Sequence, residues 1–236
     1  MEPSPVRGGL RGALLEGRGR RGIGLIGEFK RCSPGGFIAY RDPYAYAEEI
    51  GGCVDAFSVL TEPTWFCGSP ELIPVFSARR PVLFKDFVAC REMVDAAALY
   101  GASAVLLILD MLGWGVLEEL YEYARGLGLE ALIEASCSRD AVEAANTYPE
   151  ALIGLNARSL ETLRVDFEAM LRELRAARSR SPTGTVLVAE SGVRGPGDVA
   201  RAAAAGADAV LVGTSLMRSP GWACAAAPSR GPRGSS

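Results

Sequence analysis

Two lysines stand out among the ionisable side chains of this 236-residue chain. The sequence has 25 lysine and arginine residues, and of these only Lys30 and Lys85 are lysines. Both end short apolar runs, GIGLIGEFK and PVLFKDF. Arginine stays protonated, whereas a buried lysine can lower its pKa and act as an acid or a base. A codon bias against lysine would also leave few of them, so their neighbours must decide between the two explanations.

Other polar residues also lie at the ends of apolar runs. They are Glu28, Ser58, Glu134, Asn156, Arg158, Glu190, Ser191, Gly213 and Thr214. Side chains alternate along a strand, so Glu28 shares a face with Lys30, and Asn156 with Arg158. A single glutamate at a strand end is usually a solvated charge. Three glutamates and two lysines must pair when buried, and pairing separates their pKa values as acid–base catalysis requires.

The composition excludes several kinds of site. The chain has no histidine, which excludes Ser-His-Asp and Cys-His machinery and histidine metal sites. Its net charge of -3 argues against a nucleic-acid or membrane-surface partner. The six cysteines form no CxxC pair, so we expect reduced packing cysteines in a cytoplasmic protein. They are Cys32, Cys53, Cys67, Cys90, Cys137 and Cys224.

Short apolar runs are the elements that must position these side chains. Eight of them have the length of strands buried on both faces of a parallel sheet, at 22–29, 56–62, 81–87, 104–111, 130–135, 151–157, 185–191 and 209–217. Helix-like stretches lie between them, at Pro43–Ile50, Ser69–Arg79, Cys90–Tyr100, Val116–Gly126, Ser138–Thr147, Asp166–Arg178 and Gly197–Ala205. This alternation predicts a single-domain α/β fold, a (β/α)8 TIM barrel, with a doubly wound open sheet as the alternative.

A weak internal repeat and the two chain ends set the domain boundaries. GCVDAFSVL (52–60), GASAVLLIL (101–109) and GADAVLVGT (206–214) each enter a strand from a glycine through a small residue. We predict a barrel domain over 22–220, preceded by a flexible Arg/Gly-rich arm over 1–21. We expect a stunted final helix, with a turn or two near Trp222, and a short disordered tail over 221–236.

In such a barrel, the chemistry lies at the carboxyl ends of the strands. There ESGVRGPGD (190–198) and GTSLMRSPG (213–221) combine glycines with hydroxyl groups, a pattern that favours phosphate binding. Four apolar residues near the same rim are candidates to hold a flat apolar part of a ligand, namely Phe66, Phe87, Leu106 and Trp114. Core packing is the alternative for Leu106 and Trp114.

Several segments together resemble the indole-3-glycerol phosphate synthase family. They are GEFKRCSPGG (27–36), SVLTEPTWFCGS (58–69), LFKDF (83–87), ALIEA (131–135), GLNARSLETLRVD (154–166), VAESGV (188–193) and GTSLMR (213–218). The resemblance implies a barrel enzyme, a carbon-carbon lyase of tryptophan biosynthesis that uses no cofactor or metal. It acts on 1-(2-carboxyphenylamino)-1-deoxyribulose 5-phosphate, closing the pyrrole ring with loss of carbon dioxide and water.

The resemblance also implies residue roles. Lys85 is expected to be the general acid for ring closure, and Glu134 the acid or base for dehydration. Lys30 either contacts the anthranilate carboxylate or acts as the second proton donor, while Glu28 and Asn156 orient these groups. The implied substrate contacts are Ser33, Ser58, Phe66, Phe87, Arg158, Glu190 and Ser191. The implied phosphate contacts are Ser191, Gly192, Gly213 and Thr214.

The chain ends depart from the family pattern. Family members carry a helical N-terminal extension that helps to cover the substrate, and the residues before Ile23 do not match it. Two alternatives therefore stay open: an impaired or non-catalytic barrel that serves as a partner subunit, or an isomerase on a related phosphate-binding barrel. A phosphoribosylanthranilate isomerase would be expected to pair a cysteine with an aspartate. The expected assembly is a monomer or weak homodimer, with association with other tryptophan-pathway enzymes as a further expectation.

Overall fold

The computed structural model describes residues 9–159 and 161–225. Its strands are β1 (Gly24–Phe29), β2 (Cys32–Ser33), β3 (Phe37–Ile38), β4 (Ala56–Leu60), β5 (Val82–Lys85), β6 (Ala104–Ile108), β7 (Glu130–Ala135), β8 (Leu152–Asn156), β9 (Val186–Glu190) and β10 (Ala209–Val212). β2 and β3 form a small antiparallel pair. The other eight are parallel and close into a barrel, in which β1 pairs with both β4 and β10. The predicted (β/α)8 barrel is confirmed, and the open sheet is excluded.

Helices alternate with the barrel strands. They are α1 (Leu10–Arg21), α2 (Pro43–Ile50), α3 (Pro63–Phe66), α4 (Ile73–Ser77), α5 (Arg91–Leu99), α6 (Leu109–Gly126), α7 (Ser138–Thr147), α8 (Phe167–Arg178), α9 (Pro196–Ala204), α10 (Thr214–Arg218) and α11 (Gly221–Ala225). Asp42 and Asp166 cap α2 and α8 by accepting backbone N–H groups at 2.8 Å. Within the residues described, no helix has both the length and the apolar character needed to cross a membrane.

Two apolar clusters form the core. The larger one lies between the strands and the surrounding helices and includes Phe57, Phe76 and Leu107. The smaller one fills the inside of the barrel, where Ile26 and Leu132 point inward. A packed interior of this kind leaves space for a ligand only at an open end of the barrel.

Residues 10–21 correct the expectation of a flexible N-terminal arm, because they form the helix α1. Leu10 and Leu14 are fully buried and belong to the cluster inside the barrel. Arg18 pairs with Asp208 at 2.6 Å, and Asp55 accepts a hydrogen bond from Arg20 at 2.8 Å. Asp55 and Asp208 immediately precede β4 and β10, so α1 closes the amino-terminal end of the barrel. Residues 1–8 of the expected arm lie outside the described residues.

The internal repeat corresponds to a recurring strand-entry contact. The residue just before β4, β6 and β10 is Asp55, Ser103 and Asp208 respectively. Each accepts a backbone N–H from the neighbouring strand, from Leu25 at 2.8 Å, Val82 at 3.3 Å and Leu187 at 2.8 Å. These contacts fix the register of adjacent strands at the end that α1 covers.

The expectation of six reduced cysteines is wrong for four of them. Cys32 is bonded to Cys67 and Cys53 to Cys224, with Cα–Cα distances of 5.6 and 4.7 Å. The two pairs are separated by 35 and 171 positions in the sequence, and the fold brings them together, so the spacing of the cysteines does not reveal the pairing. In the described part of the chain, Cys90 and Cys137 remain free thiols.

The final helix is short, as expected. α10 and α11 have five residues each, and α11 contains the predicted turn at Trp222. The disulfide of Cys224 joins α11 to the turn after α2. The tail was expected to be disordered from residue 221, but residues 221–225 form α11. Residues 226–236 of the expected tail lie outside the described residues.

Candidate active site

A cavity of about 380 Å³ opens at the carboxyl ends of the barrel strands. Four different strands contribute polar side chains to its wall, namely Glu28 of β1, Lys85 of β5, Glu134 of β7 and Asn156 of β8. Its apolar wall consists of Trp65, Phe66, Phe87, Leu60, Leu106, Ile108 and Leu163. The cavity therefore joins charged groups to a surface suited to an aromatic ring.

The first ion pair in the cavity joins Glu28 and Lys30. Lys30 Nζ lies 3.0 Å from Glu28 Oε1, and both side chains are buried. The same ammonium lies 5.8 Å from the centre of the Phe37 ring, within the range of a cation–π contact. The side-chain alternation of β1 continues through Phe29 to Lys30, and this places the two charges on one face as predicted.

A second ionic cluster surrounds Lys85. Its Nζ lies 2.7 Å from Glu190 Oε2 and 3.8 Å from Glu134 Oε2. Asn156 Nδ2 donates to Glu134 Oε1 at 2.9 Å, and the Arg158 backbone N–H donates to Asn156 Oδ1 at 2.9 Å. Hydrogen bonds thus orient the glutamate that lies beside the ammonium.

The pKa of Lys85 moves opposite to the sequence expectation. Burial alone lowers the pKa, but the negative charges of Glu190, Glu134 and Glu28 together outweigh burial and raise it above its ordinary value. The expectation of a lowered lysine pKa is therefore wrong for Lys85 in the ligand-free protein. Lys85 is therefore protonated in the ligand-free protein, which is the protonation state that a general acid needs at the start of a reaction.

Glu190 titrates near neutral pH. Burial raises the pKa of its carboxyl group to about 7, and the nearby charges of Glu134 and Glu28 act in the same direction. The ammonium of Lys85 opposes this rise without cancelling it. Glu190 can therefore change its charge, and with it the charge balance around Lys85, in the neutral pH range.

A second, more open cavity adjoins the first. One part of its wall is formed by residues that follow β9 and β10: Ser191, Gly192, Val193, Arg194, Gly213, Thr214, Ser215 and Arg218. Ser191 and Gly192 both have left-handed backbone conformations, with φ of 66° and 80°. In this part of the wall, hydroxyl groups and the guanidinium groups of Arg194 and Arg218 together suit an anion. Glu28, Lys30 and Lys85 line both cavities.

The structure brings together nearly all of the predicted site residues. Lining one or both cavities are Glu28, Lys30, Ser33, Phe66, Lys85, Phe87, Glu134, Asn156, Arg158, Ser191, Gly192, Gly213 and Thr214. Ser58 and Glu190 are fully buried below them and line neither cavity. Leu106 lies in the cavity wall, while Trp114 packs against the outer core.

Several lining residues were not predicted from the sequence, and Trp65, Arg194 and Arg218 are the ones whose chemistry bears on a ligand. Trp65 lies beside Phe66 in the segment SVLTEPTWFCGS, and its aromatic type was the available signal. Arg194 and Arg218 lie within the two glycine segments assigned to phosphate. Their charge was a signal for anion binding, but only the fold shows that both reach the same cavity.

Sequence comparison relates the chain to one family over nearly its whole length. A family profile described as "Indole-3-glycerol phosphate synthase" matches residues 5–226. A protein of that name from Aeropyrum pernix is 47% identical over 219 residues, which cover 92% of this chain and 84% of the relative. Another from Pyrobaculum neutrophilum is 42% identical, with 85% and 80% covered.

Structural comparison gives the fold alone. A mutant tryptophan synthase alpha-subunit from Pyrococcus furiosus has a TM-score of 0.62 at 14% identity, with 83% of this chain and 89% of that chain covered. Orotidine 5'-phosphate decarboxylase from Pyrococcus horikoshii has a TM-score of 0.63 at 16% identity, with 85% and 96% covered. The fold, the site and above all the sequence relatives lead to one assignment. This chain belongs to the indole-3-glycerol phosphate synthase family.

Proposed function

We propose that this chain, a member of a family of carboxy-lyases of tryptophan biosynthesis, catalyses the ring closure itself. Its substrate would be 1-(2-carboxyphenylamino)-1-deoxyribulose 5-phosphate, and its product indole-3-glycerol phosphate. The observation that carries the proposal is the junction of the two cavities: an aromatic wall and an anion-binding wall meet at Lys30 and Lys85. The substrate has the matching order of parts, an aromatic ring, a carbonyl and a phosphate.

The apolar cavity supports binding of the anthranilate ring. The rings of Phe66 and Phe87 are tilted to each other by 43° with their centres 6.2 Å apart, and Trp65 and Ser33 line the same cavity. The phosphate then lies against Ser191, Gly192, Gly213 and Thr214, with Arg218 supplying positive charge from the same wall. Arg158 lines both cavities, so it can contact the part of the substrate between the aromatic ring and the phosphate.

Lys85 supplies the proton for carbon–carbon bond formation. The ring carbon that bears the carboxylate attacks the ribulose carbonyl carbon, and the carbonyl oxygen takes the proton of the Lys85 ammonium to become a hydroxyl group. The carboxylate then leaves as carbon dioxide, and its bonding electrons restore the aromatic ring. An arginine in the same place stays protonated and does not release its proton, which explains why this position needs lysine.

Groups at the same site also carry out the dehydration step. The new hydroxyl group leaves as water and a proton is lost from the adjacent carbon, which requires an acid and a base. Glu134, oriented by Asn156, takes one of these roles. Lys30 either binds the substrate carboxylate or provides the second proton, and Glu28 orients it through their ion pair.

The rival functions receive less support from the site. A cysteine–aspartate isomerase needs a cysteine at the pocket, and neither cavity has one among its described lining residues. A non-catalytic subunit would have no use for two ammonium groups buried among three carboxylates, an arrangement that is costly to maintain.

The proposal is tested with purified protein and the carboxyphenylamino-deoxyribulose phosphate, by following indole fluorescence. We expect saturable product formation, and much weaker turnover of a substrate analogue that lacks the phosphate. Soluble, folded protein that forms no product would contradict the proposal. Conversion of phosphoribosylanthranilate in place of this substrate would favour the isomerase.

A further inference from the structure

Gly154 occupies a position in β8 where its backbone conformation does not require glycine. Its φ is not positive, so an L-amino acid fits its backbone angles. Glycine inside a strand weakens the strand and often marks a place where another group approaches closely. The reason for glycine here must therefore lie in the space beside it.

That space is filled by the carboxyl group of Glu190. A Cβ atom added at Gly154 would overlap Glu190 Oε1 and lie 3.3 Å from Glu190 Cδ. The next contact, with Leu132 Cδ1, is an ordinary 3.5 Å. Within the described residues, Glu190 Oε1 accepts no hydrogen bond, while Oε2 holds Lys85 Nζ at 2.7 Å. Bare backbone on one side and an ammonium on the other thus define where this carboxyl group lies.

The register of the sheet places Gly154 within the ionic cluster. Gly154 pairs with Glu134 on β7 and with Val188 on β9, and Glu190 lies two residues further along β9. Glu190 is fully buried, so its carboxyl group has no solvent-filled space into which it could move. A methyl group at position 154 would have to displace the carboxyl group toward Lys85 and Glu134.

The second ion pair rests against a glycine in the same way. A Cβ at Gly213 would overlap Glu28 Oε1 and lie 2.9 Å from Lys30 Nζ. Gly213 also lines the proposed phosphate site, so a substitution there would change two properties at once. Gly154 lines neither cavity and isolates the effect on the carboxylate.

We infer that Gly154 is a positioning residue, whose missing side chain lets Glu190 hold Lys85 at the site of proton transfer. The inference rests on the proposed function, and it extends that function to a residue that touches no substrate. It assigns the glycine of the segment GLNAR to the geometry of the ammonium, and not to a turn or to phosphate binding.

The test is a double-mutant cycle of Gly154→Ala with Glu190→Asp, which withdraws the carboxyl group by one methylene. We expect Gly154→Ala to lower kcat about 10-fold to 100-fold with little change in KM, as displaced reacting groups do. In the Glu190→Asp background, the same substitution should cost less than about 2-fold, because the overlap is gone. Equal losses in both backgrounds, or no loss from Gly154→Ala, would overturn the inference.

A control separates this effect from a general disturbance of the barrel. Gly27→Ala adds a methyl group to β1, where it would meet Ile50 Cδ1 at 2.9 Å and no charged group. We expect Gly27→Ala to leave kcat nearly unchanged. If Gly154→Ala does not fold but the double variant does, the inference is supported. If neither folds, the collision is not with Glu190 and the inference fails.

An NMR titration of Glu190, which needs no turnover, tests this inference independently of the proposed function. The pKa of Glu190 is followed by NMR of protein labelled with ¹³C-carboxyl glutamate, with Glu190→Gln to assign the signal. We expect its midpoint, near 7 in the wild type, to shift in Gly154→Ala. An unchanged midpoint would contradict the inference. A protein inactive on the substrate would contradict only the proposed function.

Discussion

At the scale of single residues, the site consists of two buried ammonium groups held by carboxylates. Lys30 pairs with Glu28, and Lys85 with Glu190 and Glu134. The identity of these residues was predictable, because each ends an apolar run that becomes a barrel strand. The direction of the Lys85 pKa was not, because it depends on distances between three strands that only barrel closure sets.

The pH dependence of catalysis should follow Glu190. Its carboxyl group has a pKa near 7, so it is neutral below that pH and ionised above it. Protonation removes the charge that holds Lys85, so we expect kcat/KM to fall as the pH drops through 7. Glu190→Gln is neutral at every pH and should lower kcat/KM and flatten this limb of the profile. A limb that persists unchanged in Glu190→Gln would assign the ionisation to another group.

At the scale of elements, most strands and helices were predictable and α1 was not. Continuous apolar runs mark buried parallel strands clearly, and proline or aspartate marks several helix starts. The segment LRGALLEGRGRR contains three glycines, which are poor helix formers. Tertiary contacts override that preference, since Leu10 and Leu14 fill the barrel end and arginines pair with Asp55 and Asp208.

Shortening Leu14 tests the role of α1. Leu14→Ala leaves a cavity in the barrel interior, so we expect the free energy of unfolding to fall by about 2 to 5 kcal/mol. Leu15→Ala, one position away and half-buried, should cost less. Urea unfolding measures both. The kcat of either variant should stay near wild type at a permissive temperature, because α1 lies opposite the site. Equal losses of stability would show that Leu14 does not anchor the helix.

At the scale of the whole molecule, two disulfides reinforce a barrel that the hydrophobic pattern alone predicts. Cys32–Cys67 links the segments that carry Ser33 and Phe66, at the mouth of the first cavity. Cys53–Cys224 attaches the last helix to the turn after α2. The topology was predictable from local pattern, whereas these links were not, because they join distant parts of the chain.

Removing the longer link should weaken the fold. The Cys53–Cys224 bridge closes a loop of 171 residues, and we expect Cys224→Ser to lower the free energy of unfolding by about 2 to 4 kcal/mol under oxidising conditions. Cys90→Ser is the control, since Cys90 is an exposed free thiol. A reductant should abolish the difference between wild type and Cys224→Ser. Equal stability of the two proteins without reductant would contradict the role of the bridge.

The central claim is that a titratable lysine, and not positive charge alone, drives ring closure. Lys85→Arg tests it, because arginine keeps the charge beside Glu190 and Glu134 but cannot release a proton. The measurement is kcat in the indole fluorescence assay, with circular dichroism as the check on folding. We expect kcat to fall by about 100-fold or more, the usual contribution of a general acid, while KM changes little. A folded Lys85→Arg enzyme with near-normal kcat would contradict the claim.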